Sequence, residues 1–215
     1  MGPRRGGARP ELVVLHYTAM DSAEAAVDWL CTDEAQVSAH YVIGRDGRLW
    51  QLVAEADRAW HAGAGSWDGV ADVNSRSIGI ELDNDGAADF SEVQIDALIG
   101  LLSGIVARWG MGPEAVIGHS DCAPGRKIDP GVRFPWPRLA AAGLAARVSA
   151  APADRVDAAQ FAADLRAAGY AAEVSDEVLL AACRLRHRPG AEGPLDPLDC
   201  GLARALAVDR AGRIA

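Results

Sequence analysis

Apolar residues fall along this chain in two rhythms. The run "ELVVLH" (11–16) is short, rich in β-branched residues and closed by a histidine, the pattern of a strand buried on both faces. "SAEAAVDWLC" (22–31) spaces its apolar residues helically behind Ser22, a candidate N-cap. "SAHYVI" and "RLWQLV" alternate on either side of Asp46-Gly47 and predict a hairpin over 38–53. "SIGIELD" (77–83) predicts a further strand and "AVIGH" (115–119) a short one. The stretch 91–110 opens on the capping-box pair Ser91 and Gln94, continues amphipathically and stops at Gly110, which predicts a long helix. "PGVRFPWPRLAAAGLAARV" (130–148) passes from a proline-rich loop into one more helix. Strands mixed with helices, a hairpin among them, predict an α/β fold whose central mixed sheet is flanked by helices.

The rhythm changes near residue 148. "SAAPAD" (149–154) reads as a linker, after which every periodic segment is helical: 157–170, 175–188 and, beyond the loop "PGAEGPLDPLD", 200–208. The chain therefore divides into 1–148 and 149–215, the second part a small three-helix module near the lower size limit for folding alone. The first part has 13 basic and 20 acidic residues against 8 and 10 in the second, so it carries most of the negative balance.

Charge and composition narrow the partners. A formal charge of −9 over 215 residues gives no basic face for nucleic acid and no attraction to an anionic membrane. No segment approaches the roughly 20 apolar residues that span a bilayer. The basic N-terminus leads only into "LVVL", too short for a signal peptide, so the chain as it stands reads as cytoplasmic; a removed leader would place it in the periplasm or cell envelope. Cys31, Cys122, Cys183 and Cys200 are scattered with no CxxC, which argues against a disulfide framework. The sequence leaves the oligomeric state open.

Candidate chemistry gathers where strands end. His16 follows "LVVL", Glu81 follows "SIGI" and His119 follows "AVIG", while Asp129 lies ten residues past His119 on a loop held by Pro124, Pro130 and Gly131. Sites in such folds form at strand ends. Two imidazoles and a carboxylate make a three-ligand zinc set with a fourth position free for water, although other divalent ions suit the same donors. Taken singly, each residue has an ordinary reading: His16 as a satisfied polar group, Glu81 as a surface carboxylate beside Asp83 and Asp85, Lys127 as a solvated loop charge. Lys127 is nonetheless the one lysine among twenty arginines.

The blocks "LHYTA", "VSAHYVIGRDGRLWQLV", "RAWHAG", "SIGIELDN" and "GHSDCAPGRKIDPG", followed by "FPW", occur in order between residues 11 and 138. Together they resemble the zinc-dependent N-acetylmuramoyl-L-alanine amidases, a family of AmiD-like and AmpD-like bacterial enzymes, phage relatives and peptidoglycan recognition proteins. The resemblance implies one zinc ion on His16, His119 and Asp129, a catalytic glutamate at Glu81 and a catalytic lysine at Lys127. It implies hydrolysis of the amide between N-acetylmuramic acid and the L-alanine of a stem peptide, with peptidoglycan or a muropeptide as substrate. Two alternatives stand beside it: a cytosolic recycling amidase for 1,6-anhydro-muropeptides, and a binding protein without catalysis. His40, His61, Trp60, Asn74 and Arg76 lie in matching segments and are candidates for substrate contact, with Trp67 and Trp136 as further aromatic faces. Cys122 does not match the cysteine that some relatives use as third ligand and reads as a packed thiol. The C-terminal helices resemble a peptidoglycan-binding module but depart from it at Cys183, Arg184 and Asp199, so a structural cap and a glycan binder are both open.

Overall fold

The structure is a computed structural model; it describes residues 1–214, the side chains as far as 212. Five strands form the main sheet: β1 (Leu12–Tyr17), β2 (Tyr41–Ile43), β3 (Leu49–Gln51), β4 (Ser77–Leu82) and β5 (Val116–Gly118), in spatial order β3-β2-β4-β1-β5. β1 pairs in parallel with β4 and with β5, β2 in parallel with β4, and only the edge pair β2–β3 is antiparallel. This is the expected mixed sheet. Residues Gly2–Pro3 pair with Asp57–Arg58 in a separate two-stranded ribbon.

Alternation along the strands gives the sheet two unlike faces. Val13 and Leu15 of β1, Ile78, Ile80 and Leu82 of β4 and Val116 of β5 face one apolar cluster. The helix α2 (Glu92–Trp109) seals it with Ile95, Leu98, Leu102 and Ile105, one stripe at helical spacing. The helix α3 (Trp136–Ala141) adds Trp136 and Leu139. On the opposite face Leu12 and Val14 of β1 and Ile117 of β5 join a second cluster with the C-terminal helices α4 (Ala158–Ala167), α5 (Asp176–His187) and α6 (Pro197–Ile214). That cluster runs without a break from the sheet into the three-helix region, with Phe161, Leu165, Tyr170 and Leu179 beside Ile117 and Cys122. Alternate positions of β4 on this face are Ser77, Gly79 and Glu81, small or polar where the other face is aliphatic.

Several boundaries differ from the sequence pattern for local reasons. The helix α1 (Ala23–Leu30) starts as expected, Ser22 Oγ accepting from Ala25 N at 3.1 Å. Ser91 caps α2 likewise, but Gln94 does not complete the box: its amide donates to the carbonyls of Ile43 (2.9 Å) and Asp83 (3.2 Å) and so pins the helix to the ends of β2 and β4. The helix expected to run to 148 ends at Ala141, because Gly143 takes a left-handed φ of 73°. The last helix begins earlier than expected, at Pro197. Asp196 and Asp199 cap it reciprocally, each carboxylate accepting from the other's backbone N–H at 2.9 and 3.1 Å, with proline at the first helical position. A Cβ at Gly201 would lie 1.9 Å from the Ala151 carbonyl oxygen, so glycine lets α6 pack directly on the 149–154 segment. Among the described residues no helix is long and apolar enough to cross a membrane.

Candidate metal centre and active site

The parallel register builds the site. Leu15 pairs with Gly118 and His16 with Glu81, so His16, Glu81 and, one step past the last β5 pair, His119 stand in one row across three strands. Asp129 arrives from the loop that follows, and the Ser120 N–H donates to the Asp129 carbonyl at 3.0 Å, linking the backbones of two candidate ligands. His16 Nδ1, His119 Nδ1 and Asp129 Oδ2 form a triangle with edges of 3.0, 2.8 and 2.9 Å. All three residues are buried.

Partners of the outer ring nitrogens decide what those atoms are. His119 Nε2 donates at 2.9 Å to the Ala62 carbonyl, which only accepts, and that leaves Nδ1 as the nitrogen offered to a metal. His16 reaches the same state through a relay. The Ser77 hydroxyl donates to the Val73 carbonyl (2.6 Å), so it accepts from His61 Nε2 (3.2 Å); His61 Nδ1 is then bare and accepts from His16 Nε2 (3.0 Å). Burial, reinforced by His119, draws the His16 pKa down to about 4, keeping that ring neutral. Three lone-pair atoms therefore converge where no proton can serve all three edges. Donors in a tetrahedral zinc shell, each about 2.0–2.1 Å from the ion, lie roughly 3.3 Å apart, close to the triangle found here. The donor set fits a single Zn²⁺, and His61 with Ser77 orients one ligand from behind, as outer partners of metal-bound histidines do. A Cβ on Gly79 would come within 2.3 Å of the His61 ring, so this strand needs glycine there.

Glu81 shares the row. Its Oε2 is buried without a hydrogen-bond partner in the protein. Burial first, then the Asp129 charge, raises its pKa to about 8, with Lys127 acting in the opposite sense. A cation among the three ligands would pull it back down. Lys127 is exposed, and its positive charge adds a minor contribution to the lowering at His16. Its neighbour Arg126 donates to Ala62 O (2.6 Å) and to Ala64 O, gripping the carbonyl that orients His119.

The remaining candidates separate. His61 touches a ligand. His40 is wholly buried: it accepts from Gly79 N at 2.9 Å and its other nitrogen faces Asp57 O at 3.1 Å. Asn74 accepts from the N–H groups of His61 (3.0 Å) and Ala62 (2.8 Å), holding the segment from which His61 projects. Arg76 is taken up by Glu11 and the Trp67 carbonyl. Trp60 is 40% exposed and lines a groove with Leu30, Val37 and Leu52, none of them residues of the metal row. Trp67 and Trp136 are buried, as is Cys122, whose thiol burial pushes up to about 12, in keeping with a packed role. Sequence reasoning missed Ser77, Gly79 and Asp121. Ser77 and Gly79 carried a signal in lying four and two positions before Glu81, on the same face of the strand, and Asp121 in its place three residues after Gly118.

Two imidazoles and a carboxylate converging on one point, with a glutamate in register beside them, are the donor set of a mononuclear metal centre on a mixed α/β sheet. Within that class the chain belongs to the N-acetylmuramoyl-L-alanine amidase family, Amidase_2, which matches residues 6–132. It is 44% identical over 154 residues to the amidase AmiD of Escherichia coli K12, a stretch covering 64% of this chain but only 55% of AmiD. It is 31% identical over 150 residues to the 1,6-anhydro-N-acetylmuramyl-L-alanine amidase AmpD of Salmonella typhimurium, covering 62% of this chain and 80% of AmpD. Among solved structures, E. coli AmiD in complex with anhydro-N-acetylmuramic acid-L-Ala-D-γ-Glu-L-Lys superposes with a TM-score of 0.84 at 36% identity, over 95% of this chain and 91% of that one. AmpDh3 of Pseudomonas aeruginosa superposes at 0.86 and 35% identity, over 97% and 95%.

Proposed function

We propose that this protein hydrolyses the amide bond between the lactyl group of N-acetylmuramic acid and the L-alanine of the stem peptide, in peptidoglycan or its fragments. The convergence of His16, His119 and Asp129 beside Glu81 carries this reading. Its support on the substrate side is the muropeptide bound by E. coli AmiD. A zinc ion held by the triad supplies Lewis acidity to a carbonyl oxygen and to a water. Glu81, ionised once a cation among the three ligands draws its raised pKa back down, takes the proton of the attacking water and returns one to the departing alanine nitrogen. Lys127 places a compact positive charge beside the oxyanion that develops on the carbonyl. A guanidinium is wider and prefers two-oxygen partners, which accounts for a lysine here in an arginine-rich chain. Lys127→Arg should keep stoichiometric zinc while kcat falls about tenfold or more; a normal kcat removes Lys127 from the mechanism.

Digestion of defined muropeptides followed by mass spectrometry tests the reaction. Free stem peptide beginning at L-alanine is the expected product; zinc-loaded protein that releases none is a binding protein instead. Running intact sacculi beside anhydro-muropeptides separates a wall amidase from a recycling one. Residues 149–215 act, in this reading, as a cap on the sheet. The groove they form with Val132, about 610 Å³, is lined by Leu180, Leu185 and Leu195 together with Asp176, Glu177 and Arg184, and its one aromatic, Phe161, is 1% exposed and offers no face for a sugar.

A further inference from the structure

The turn His119–Cys122 that presents one zinc ligand is a single helical turn, too short to hold itself. Asp121 stabilises it from inside: Oδ2 accepts from Gly118 N at 2.8 Å. That carboxylate is fully buried, and a buried charge persists only when paired and hydrogen-bonded. Both of its other partners come from the C-terminal helices. The Tyr170 hydroxyl, just past α4, donates to Oδ1 at 2.8 Å, and the Arg186 guanidinium, on α5, forms an ion pair with Oδ2. Arg186 also donates to the Val116 carbonyl at 3.1 Å, at the head of the strand leading to His119. Its planar face lies 4.0 Å from the ring of Trp136, the first residue of α3. One guanidinium thus ties together strand, turn and flanking helix. Because Ser120 N donates to Asp129 O, displacing this turn moves the backbones of two zinc ligands at once.

We infer that Arg186 and Tyr170 are positioning residues of the metal centre, acting through Asp121 on the turn that carries His119. The C-terminal helices are then part of the hydrolytic machinery in addition to covering the sheet. The inference rests on the metal site and is independent of which wall fragment is cleaved.

Full-length variants test it through the metal, without substrate. Zinc affinity is measured by competition with a chromophoric chelator, well below the unfolding temperature, and ligand geometry by the visible absorption of the cobalt(II) form. Arg186→Met should weaken zinc binding by about tenfold, the lower end of the range for losing a direct partner of a metal ligand because Arg186 acts through Asp121, and change the cobalt spectrum. Tyr170→Phe should act in the same direction more weakly. The pair Asp121→Asn with Arg186→Met should recover much of the loss, since a neutral amide still accepts from Gly118 N and donates to the Tyr170 oxygen. Should Arg186→Met fail to fold, Arg186→Lys takes its place: it keeps the charge but cannot reach the carboxylate, the Val116 carbonyl and the Trp136 face together, so zinc binding again weakens. Unchanged zinc affinity and cobalt spectrum in the folded Arg186 variant, whatever happens to the melting temperature, overturn the inference.

Discussion

Replacing Asp129 with alanine should strip the protein of its metal and lower turnover by roughly three orders of magnitude, since losing a direct ligand costs more than the 10–100-fold of losing an outer partner. An imidazole binds a metal as the neutral ring, so the Asp129 carboxylate is the one negative donor in the triangle. With it gone, a divalent cation would enter a buried site on two neutral donors. Asp129→Cys is the informative partner variant, because a thiolate is a good zinc ligand and restores the charge. Chelator competition should show zinc lost in the alanine variant and largely retained in the cysteine one. Tight zinc binding by Asp129→Ala would mean that the ion sits elsewhere.

Glu81→Gln should divide function from stability. Loss of the general base should lower kcat by about 10²–10⁴ while zinc stays bound. The metal-free protein should gain stability, and the gain should depend on pH in a defined direction. Glu81 titrates near 4.5 when free and near 8 when folded. Between those values the folded state keeps a proton that the unfolded chain has released, so the Glu81 contribution to stability falls as pH rises through that window. Glutamine has no such proton to lose. The difference in unfolding free energy between variant and wild type, measured in denaturant with chelator present, should therefore be smallest near pH 4 and grow toward pH 8. The histidines around the site titrate in both proteins and largely cancel in that difference. A difference that stays flat across the window would place the Glu81 carboxylate in water rather than in the sealed position its Oε2 occupies.

What the sequence revealed, and what it concealed, follows from how each feature is encoded. Parallel strands in register bring their ends together, so His16, Glu81 and His119 were legible as a group from apolar runs and the residues that close them. Asp129 was legible as a third donor from the proline- and glycine-held loop after His119, whereas the role of Lys127 needed the family resemblance, because a loop has no periodicity to place it. The roles of His40, Asn74 and Arg76 were not legible. Each lies in a matching block, but their polar atoms are taken up by Gly79, by the His61 and Ala62 backbone, and by Glu11 and Trp67, contacts that only tertiary structure sets. The Asp121–Arg186 pair spans 65 positions and joins two separately patterned regions, so nothing local announces it. The start of α6 was a different kind of miss: "DPLD" holds both a capping pair and a first-turn proline, read as loop because its prolines dominated.

Zinc-edge anomalous diffraction from crystals of the full chain tests the central claim most directly. The account predicts one strong peak per chain, within about 2.0–2.2 Å of His16 Nδ1, His119 Nδ1 and an Asp129 oxygen, with a fourth position open toward Glu81 and Lys127. A peak bound to other residues, or none in crystals soaked with zinc, would contradict it.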